Sequence, residues 1–193
     1  MNKSEWTIAV GVTILSLIAI LLLLSFRVTT MSASSMNPNL STGDIVFINK
    51  WGFSFFEKAG ITSQIKRGHI YVIKAPNKDR NYVKRVIGMP NDIIKVDNDK
   101  ISVNGKLLRF EEISNSRGFQ IGTETNELSS YLIQKITTRP YPHRNELRLK
   151  EGEYYMLGDN RDNSADSRFF GAIPRENFQG KIIHVVKQTT VQN

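Results

Sequence analysis

Ile70-Tyr71-Val72-Ile73 and, after a turn-forming interval, Tyr82-Val83-Lys84-Arg85-Val86-Ile87 are short runs dominated by β-branched and aromatic residues. Side chains of that shape pack well on a pleated surface and are restricted in a helix. The signature recurs in both directions, in Asp44-Ile45-Val46-Phe47-Ile48-Asn49, Ile93-Ile94-Lys95-Val96, Lys100-Ile101-Ser102-Val103 and Ile182-Ile183-His184-Val185-Val186. The connectors carry Gly43, Gly68, Gly88, Asn98-Asp99 and Asn104-Gly105, and the last two pairs predict hairpin turns. Long amphipathic helices are missing from this part. The pattern predicts a mostly β domain, a folded set of antiparallel sheets. From about Glu111 to Lys150 the rhythm breaks into polar, Ser/Thr-rich sequence containing Pro140-Tyr141-Pro142. That stretch reads as an inserted lobe or long excursion before Tyr154-Tyr155-Met156-Leu157.

The N-terminal flank is different in kind. Between Glu5 and Arg27 the chain carries no charge, and about twenty residues at roughly 1.5 Å each span the roughly 30 Å hydrocarbon core of a bilayer. This predicts one transmembrane helix over residues 6–26, with residues 1–5 before it and a single domain over 27–193 after it. A cleavable leader fits less well: its apolar core is typically about 7 to 15 residues, and bulky Met31 stands where cleavage near Ala33 would want a small side chain. Lys3 and the amino terminus face Arg27 across the run, and the positive-inside rule leans toward a cytoplasmic N-terminus.

Composition narrows the function. The chain has no cysteine, which excludes a disulfide framework and thiolate metal sites. Its formal charge of +8 fits attraction to an anionic lipid surface or simply a solubilising exterior. The basic residues are scattered, without stacking-aromatic motifs or finger spacing, so nucleic acid is not a predicted partner. No His-Glu-x-x-His occurs, and no metal or other cofactor is predicted. No Gly-x-Ser-x-Gly elbow occurs, and His69, His143 and His184 offer little to a Ser-His-Asp triad. Ser63-Gln64-Ile65-Lys66 is a Ser-x-x-Lys, but the companion motifs of penicillin-recognising enzymes are missing. Gly158 to Arg168 is dense in Asp, Asn, Ser and Arg, yet no register matches a calcium loop; such a segment suits a self-satisfied network of charge-assisted hydrogen bonds.

One base can still activate a serine: a lysine kept neutral by burial, which must lose about 2 to 3 units from an ordinary value near 10.4. In an extended 82–87 segment, Lys84 shares a face with Tyr82 and Val86, while Val83, Arg85 and Ile87 take the other. Alternation alone leaves open which of Lys84 and Arg85 points inward.

Three segments taken together carry a specific resemblance. Ser35-Met36-x-Pro38-x-Leu40, Tyr82-Val83-Lys84-Arg85-Val86-Ile87-Gly88-x-Pro90-x-Asp92 and Gly158-Asp159-Asn160-Arg161-Asp162-Asn163-Ser164-x-Asp166-Ser167-Arg168 resemble the three signature boxes of type I signal peptidases in order and spacing. With the single N-terminal anchor, the chain is most similar to the small Gram-positive forms. The resemblance implies a membrane-bound serine protease with a Ser/Lys dyad whose β-rich domain lies outside the cytoplasm and removes signal peptides from exported preproteins. Carried over by position, Ser35 is the nucleophile, Lys84 the general base, and Ser164 a hydrogen-bonding partner of the lysine amine. Asp159, Asp166 and Arg168 become structural braces. The resemblance also implies small side chains at the first and third positions before the cut, for which Met36, Leu40 and Tyr82 are the pocket candidates.

Ala33 stands where some members have a serine that contributes to the oxyanion hole, leaving more of that role to the Ser35 N–H. Position directly before Met36 selects Ser35 over Ser34. His69 and Asn91 replace the usual Asp and Gly. Two readings from other classes compete: a non-catalytic, peptidase-like partner in the assembly of surface structures, and a self-cleaving Ser/Lys repressor. Ser35 and Lys84 are both present, which disfavours the first. A transmembrane run stands where the second would need a DNA-binding head.

Overall fold

In the computed structural model, residues 2–53, 55–76, 79–97, 100–116, 118–126, 129–136 and 144–188 are described. Helix α1 (Lys3–Ser25) opens the chain, and its first turn is closed reciprocally: the Glu5 N–H donates to the Asn2 side chain, and the Asn2 N–H donates to the Glu5 carboxylate. This capping box satisfies donors that a helix start otherwise leaves free. The helix ends at Ser25, and β1 (Phe26–Thr30) begins at the next residue. The apolar run read over 6–26 therefore gives up Phe26 to a strand, where Val28, Thr29 and Thr30 are β-branched.

The remaining elements follow in order: β2 (Ile45–Asn49), α2 (Phe55–Lys58), β3 (Ile70–Lys74), β4 (Asn81–Gly88), β5 (Ile93–Asp97), β6 (Lys100–Val103), β7 (Lys106–Leu107), β8 (Arg109–Ser116), β9 (Phe119–Asn126), β10 (Ser129–Ile136), β11 (Arg144–Arg148), β12 (Glu153–Leu157), α3 (Ser167–Phe170), β13 (Ile173–Pro174) and β14 (Phe178–Val186). They form antiparallel sheets in the orders β1-β2-β14-β3-β4-β12-β13, β10-β9-β8 and β11-β5-β6-β7. Every β-branched run named above lies in a strand, and the mostly β fold behind one long apolar helix is borne out. Asn104 and Gly105 have φ of 54° and 79° between paired Val103 and Lys106, the tight turn that Asn-Gly favours. The Asn98-Asp99 pair, Pro140-Tyr141-Pro142 and His143 lie outside the described residues. Within 111–150, the described residues carry the β8–β10 meander and β11, which joins β5.

Strand β4 is where the packing converges, with Ile87 joining the cluster around Ile94, Tyr155 and Leu157. Val86 packs with Phe53, Tyr71, Met156 and Phe178, and Val83 lies against Met31, Met36, Leu40, Val46 and Ile48. A strand buried on both faces cannot keep a clean apolar/polar alternation, which is why the 82–87 pattern is imperfect. Its two basic residues are both buried, on opposite faces of the strand.

Candidate active site

Met36 and Leu40 are fully buried and form a local antiparallel bridge with each other, closing the chain into a tight loop just beyond Ser35. That loop places Ser35 beside β4. The Lys84 amine donates to Ser35 Oγ at 2.9 Å, across 49 residues of sequence. Lys84 is 2 % exposed, and its Nζ lies 5.3 Å from the centre of the Tyr82 ring. Burial pushes this amine from 10.5 down to about 8, against the opposing pull of the Asp166 and Asp159 carboxylates; the Arg168 guanidinium adds to the depression.

The other basic residue of β4 turns the opposite way. Arg85 grips Asp159 through two hydrogen bonds of 2.8 and 2.6 Å, donates to the Gly68 carbonyl, and stacks over Tyr131. Asp166 and Arg168 form a second buried pair, and Asp166 also accepts from the Gly158 and Arg168 N–H groups. Asp159 and Asp166 thus hold fixed negative charge behind the lysine, and their arginines keep that charge compensated in a dry interior.

Residues between these braces hold the serine backbone itself. The Asn160 N–H donates to the Ser35 carbonyl at 3.1 Å and its side-chain amide to the Ser34 carbonyl at 3.2 Å. Asn163 donates to Ser34 Oγ at 3.0 Å, and Asn39 donates to Asp159 at 2.7 Å and to the Leu132 carbonyl at 2.6 Å. A third buried pair joins Arg161 to Glu124 of β9, with Tyr131 of β10 donating to the same carboxylate. Asn39 and Glu124 carry no signal in the sequence, and Arg85, Asn160 and Asn163 stand in the boxes there without an assigned role. Asn160 and Asn163 lay inside the polar segment already noted, but nothing in the order of residues ties Glu124 to Arg161.

Ser164 is buried and its Oγ has no hydrogen-bond partner among the described residues, so the bond to the Lys84 amine that the resemblance implies is not made in this structure. It presses on Gly158, where an added Cβ would meet Ser164 Oγ at 2.2 Å and the Ser35 carbonyl at 2.6 Å. Only glycine fits there. Asn91 has φ of 72°, a left-handed turn that asparagine tolerates, which accounts for an Asn at a position the resemblance assigns to Gly.

A cleft of about 400 Å³ opens along Ser35 and Lys84 and includes Met31, Ala33, Val46, Ile48, Val72 and Tyr82 in its lining. Tyr82 therefore borders the cleft. Met36 and Leu40 do not: as fully buried members of the layer packed against Val46, Ile48 and Val72, they support its floor from beneath, a correction to their reading as pocket lining. The physical reason is the Met36–Leu40 bridge, which turns both side chains into the core. Among the described residues no three His, Asp or Glu side chains gather at one point.

The family model described as signal peptidase, peptidase S26, matches residues 3–187. The chain belongs to the signal peptidase family S26. It is a serine peptidase, and signal peptides are what this family processes. Signal peptidase IB of Staphylococcus aureus strain N315 is 31% identical over 182 residues, covering 92% of this chain and 86% of that protein. Signal peptidase I of Pseudomonas fluorescens is 29% identical over 218 residues, covering 96% of this chain and 74% of that protein. A crystal structure of a signal peptidase I from Enterococcus faecalis V583 aligns at 23% identity and a TM-score of 0.41, covering 63% of this chain and 98% of that one. The apolar α1 of this signal peptidase accords with a family whose members are typically membrane-anchored.

Proposed function

We propose that this signal peptidase cleaves preproteins at the outer face of the cell membrane with Ser35 as nucleophile and Lys84 as general base. The 2.9 Å contact between Lys84 Nζ and Ser35 Oγ, made by a buried amine held near pKa 8, carries the reading. Neutral Lys84 takes the Ser35 proton as Oγ attacks the scissile carbonyl. The Ser35 N–H, which no acceptor among the described residues takes, donates to the developing oxyanion. On collapse, protonated Lys84 returns the proton to the leaving amine and an acyl-enzyme remains. Lys84 then removes a proton from water, hydroxide attacks the ester, and Ser35 leaves with that proton.

Asp159, Asp166 and Arg168 hold the wall behind the amine. Ser164 Oγ, left without a partner, is available to the lysine as it moves between protonation states. Met31, Val72 and Tyr82 shape shallow apolar pockets that admit alanine before the cut. Helix α1 spans the bilayer with residues 1–5 in the cytoplasm, and residues 27–193 form the peptidase domain outside, with 111–150 as its inserted lobe. The bilayer and the preprotein are its partners, and nucleic acid is not.

The test is cleavage of a preprotein bearing an Ala-x-Ala site by detergent-solubilised full-length protein. Wild type cleaves, whereas Ser35→Ala and Lys84→Ala do not. Undiminished turnover by Lys84→Ala removes the lysine from the mechanism. Wild-type activity rises with pH through a limb near 8, as the folded-state amine loses its proton.

A further inference from the structure

The cleft that holds Ser35 and Lys84 extends away from them to Arg27, Lys50, Asn81 and Gln179. Strand register explains why these four gather. Phe26 pairs with Asn49, Asn49 with Lys181, Ile73 with both Phe178 and Tyr82, and Lys74 with Asn81. The start of β1, the end of β2, the start of β14 and the start of β4 therefore share one edge of the sheet. It is also the edge where α1 ends, because the Lys50 N–H donates to the Ser25 carbonyl at 2.7 Å. The mouth of the cleft thus sits where the chain's own apolar helix becomes a strand. Among the described residues no Asp or Glu lines the cleft, and neither Arg27 nor Lys50 has a carboxylate partner.

A substrate whose apolar segment is helical in the bilayer has to make the same transition to reach Ser35, and a helix ends with four carbonyls lacking intrahelical partners and about half a negative charge. The end of α1 is met by the Lys50 N–H, and no basic side chain lies in its last turn. Resting on the function proposed above, we infer that the Arg27 and Lys50 side chains receive the carbonyl end of the signal peptide's apolar helix. They thereby select against cationic residues there. Seven residues, Val28 to Ser34, lie between Arg27 at the mouth and Ser35, so a substrate extended alongside them places the selected positions about five to seven residues before the scissile bond.

The test uses full-length enzyme in uncharged detergent and substrates with Gln, Lys or Glu at those positions. Wild type processes the Lys substrate with kcat/KM about threefold to fivefold below the Gln substrate, and the Glu substrate at least as well as Gln. High salt narrows the gap. Arg27→Gln with Lys50→Gln brings the ratio near one, and Arg27→Glu with Lys50→Glu reverses it. Equal processing of all three substrates by wild type overturns the inference, as does the wild-type order persisting in the reversed-charge variant. A preference seen only in vesicles of anionic lipid also overturns it, assigning the two cations to headgroups. Failure of the parent reading is separately visible, as a Gln substrate left uncut by wild type or cut by Ser35→Ala.

Discussion

Lys84 folds against its own charge. An amine with an ordinary value of 10.5 is held near 8, so between those pH values the unfolded chain binds more protons than the folded one. The penalty is full below about pH 8 and is relieved as pH rises toward 10.5; 2 to 3 units correspond to about 3 kcal/mol. Lys84→Met is therefore expected to abolish cleavage while stabilising the protein at pH 7, by up to about 3 kcal/mol. Denaturation of both proteins at pH 7 and pH 10.5 checks this, because the difference should shrink at the higher pH. Gly158 is the other residue with no freedom. Gly158→Ala drives a methyl into Ser164 and the Ser35 carbonyl, and at least a tenfold loss of kcat is expected, since roughly 1.4 kcal/mol of misplacement suffices. Steady-state kinetics on the folded variant measures it.

The elements that set the site belong to sequence-distant segments. The β9–β10 hairpin reaches the polar loop through Glu124 and Tyr131, and the Gln134 N–H donates to the Asp159 carbonyl at 2.9 Å. The stretch that looked like an excursion from its composition is thus docked on the wall of the site. Breaking one partner of a buried ion pair strands the other charge, at a cost of about 3 to 5 kcal/mol. Glu124→Leu is expected to lose that much stability, and Glu124→Leu with Arg161→Met to regain much of it. Urea titration of the three proteins decides. If the single and double variants are equally unstable, the pair contributes through packing rather than charge.

For the whole molecule, the decisive arrangement is the direct passage from α1 into β1. No free linker separates the apolar helix from the sheet, and the Lys50 N–H ties the helix end to β2. On the proposed reading, tethering by α1 raises the effective concentration of the site at the bilayer and leaves the proposed Ser35–Lys84 dyad unaltered. Removal of residues 2–25 is expected to leave kcat on a short soluble peptide within about twofold, while processing of a bilayer-inserted preprotein falls by about 10²-fold or more. Parallel assays on the two substrates test this. An equal loss on both would mean that α1 supports the fold of the sheet.

The sequence by itself determined strands β2 to β6 and β14, the apolar helix, the Asn104-Gly105 turn and the three boxes containing Ser35, Lys84, Asp159, Asp166, Ser164 and Arg168, whereas β1 and the β8–β10 meander, polar or adjoining the apolar run, were not legible in it. Local side-chain shape, hydrophobic period and motif spacing are properties of neighbouring residues, so they survive in one dimension. Tertiary structure alone decided that Lys84 faces Ser35 while Arg85 turns to Asp159. It also decided that Met36 and Leu40 pass beneath the cleft, that Glu124 compensates Arg161, and that Arg27 and Lys50 share the cleft with the dyad. Those choices depend on which strands pair and on where a buried charge finds its opposite, and both are fixed by contacts across tens of residues that local patterning does not encode.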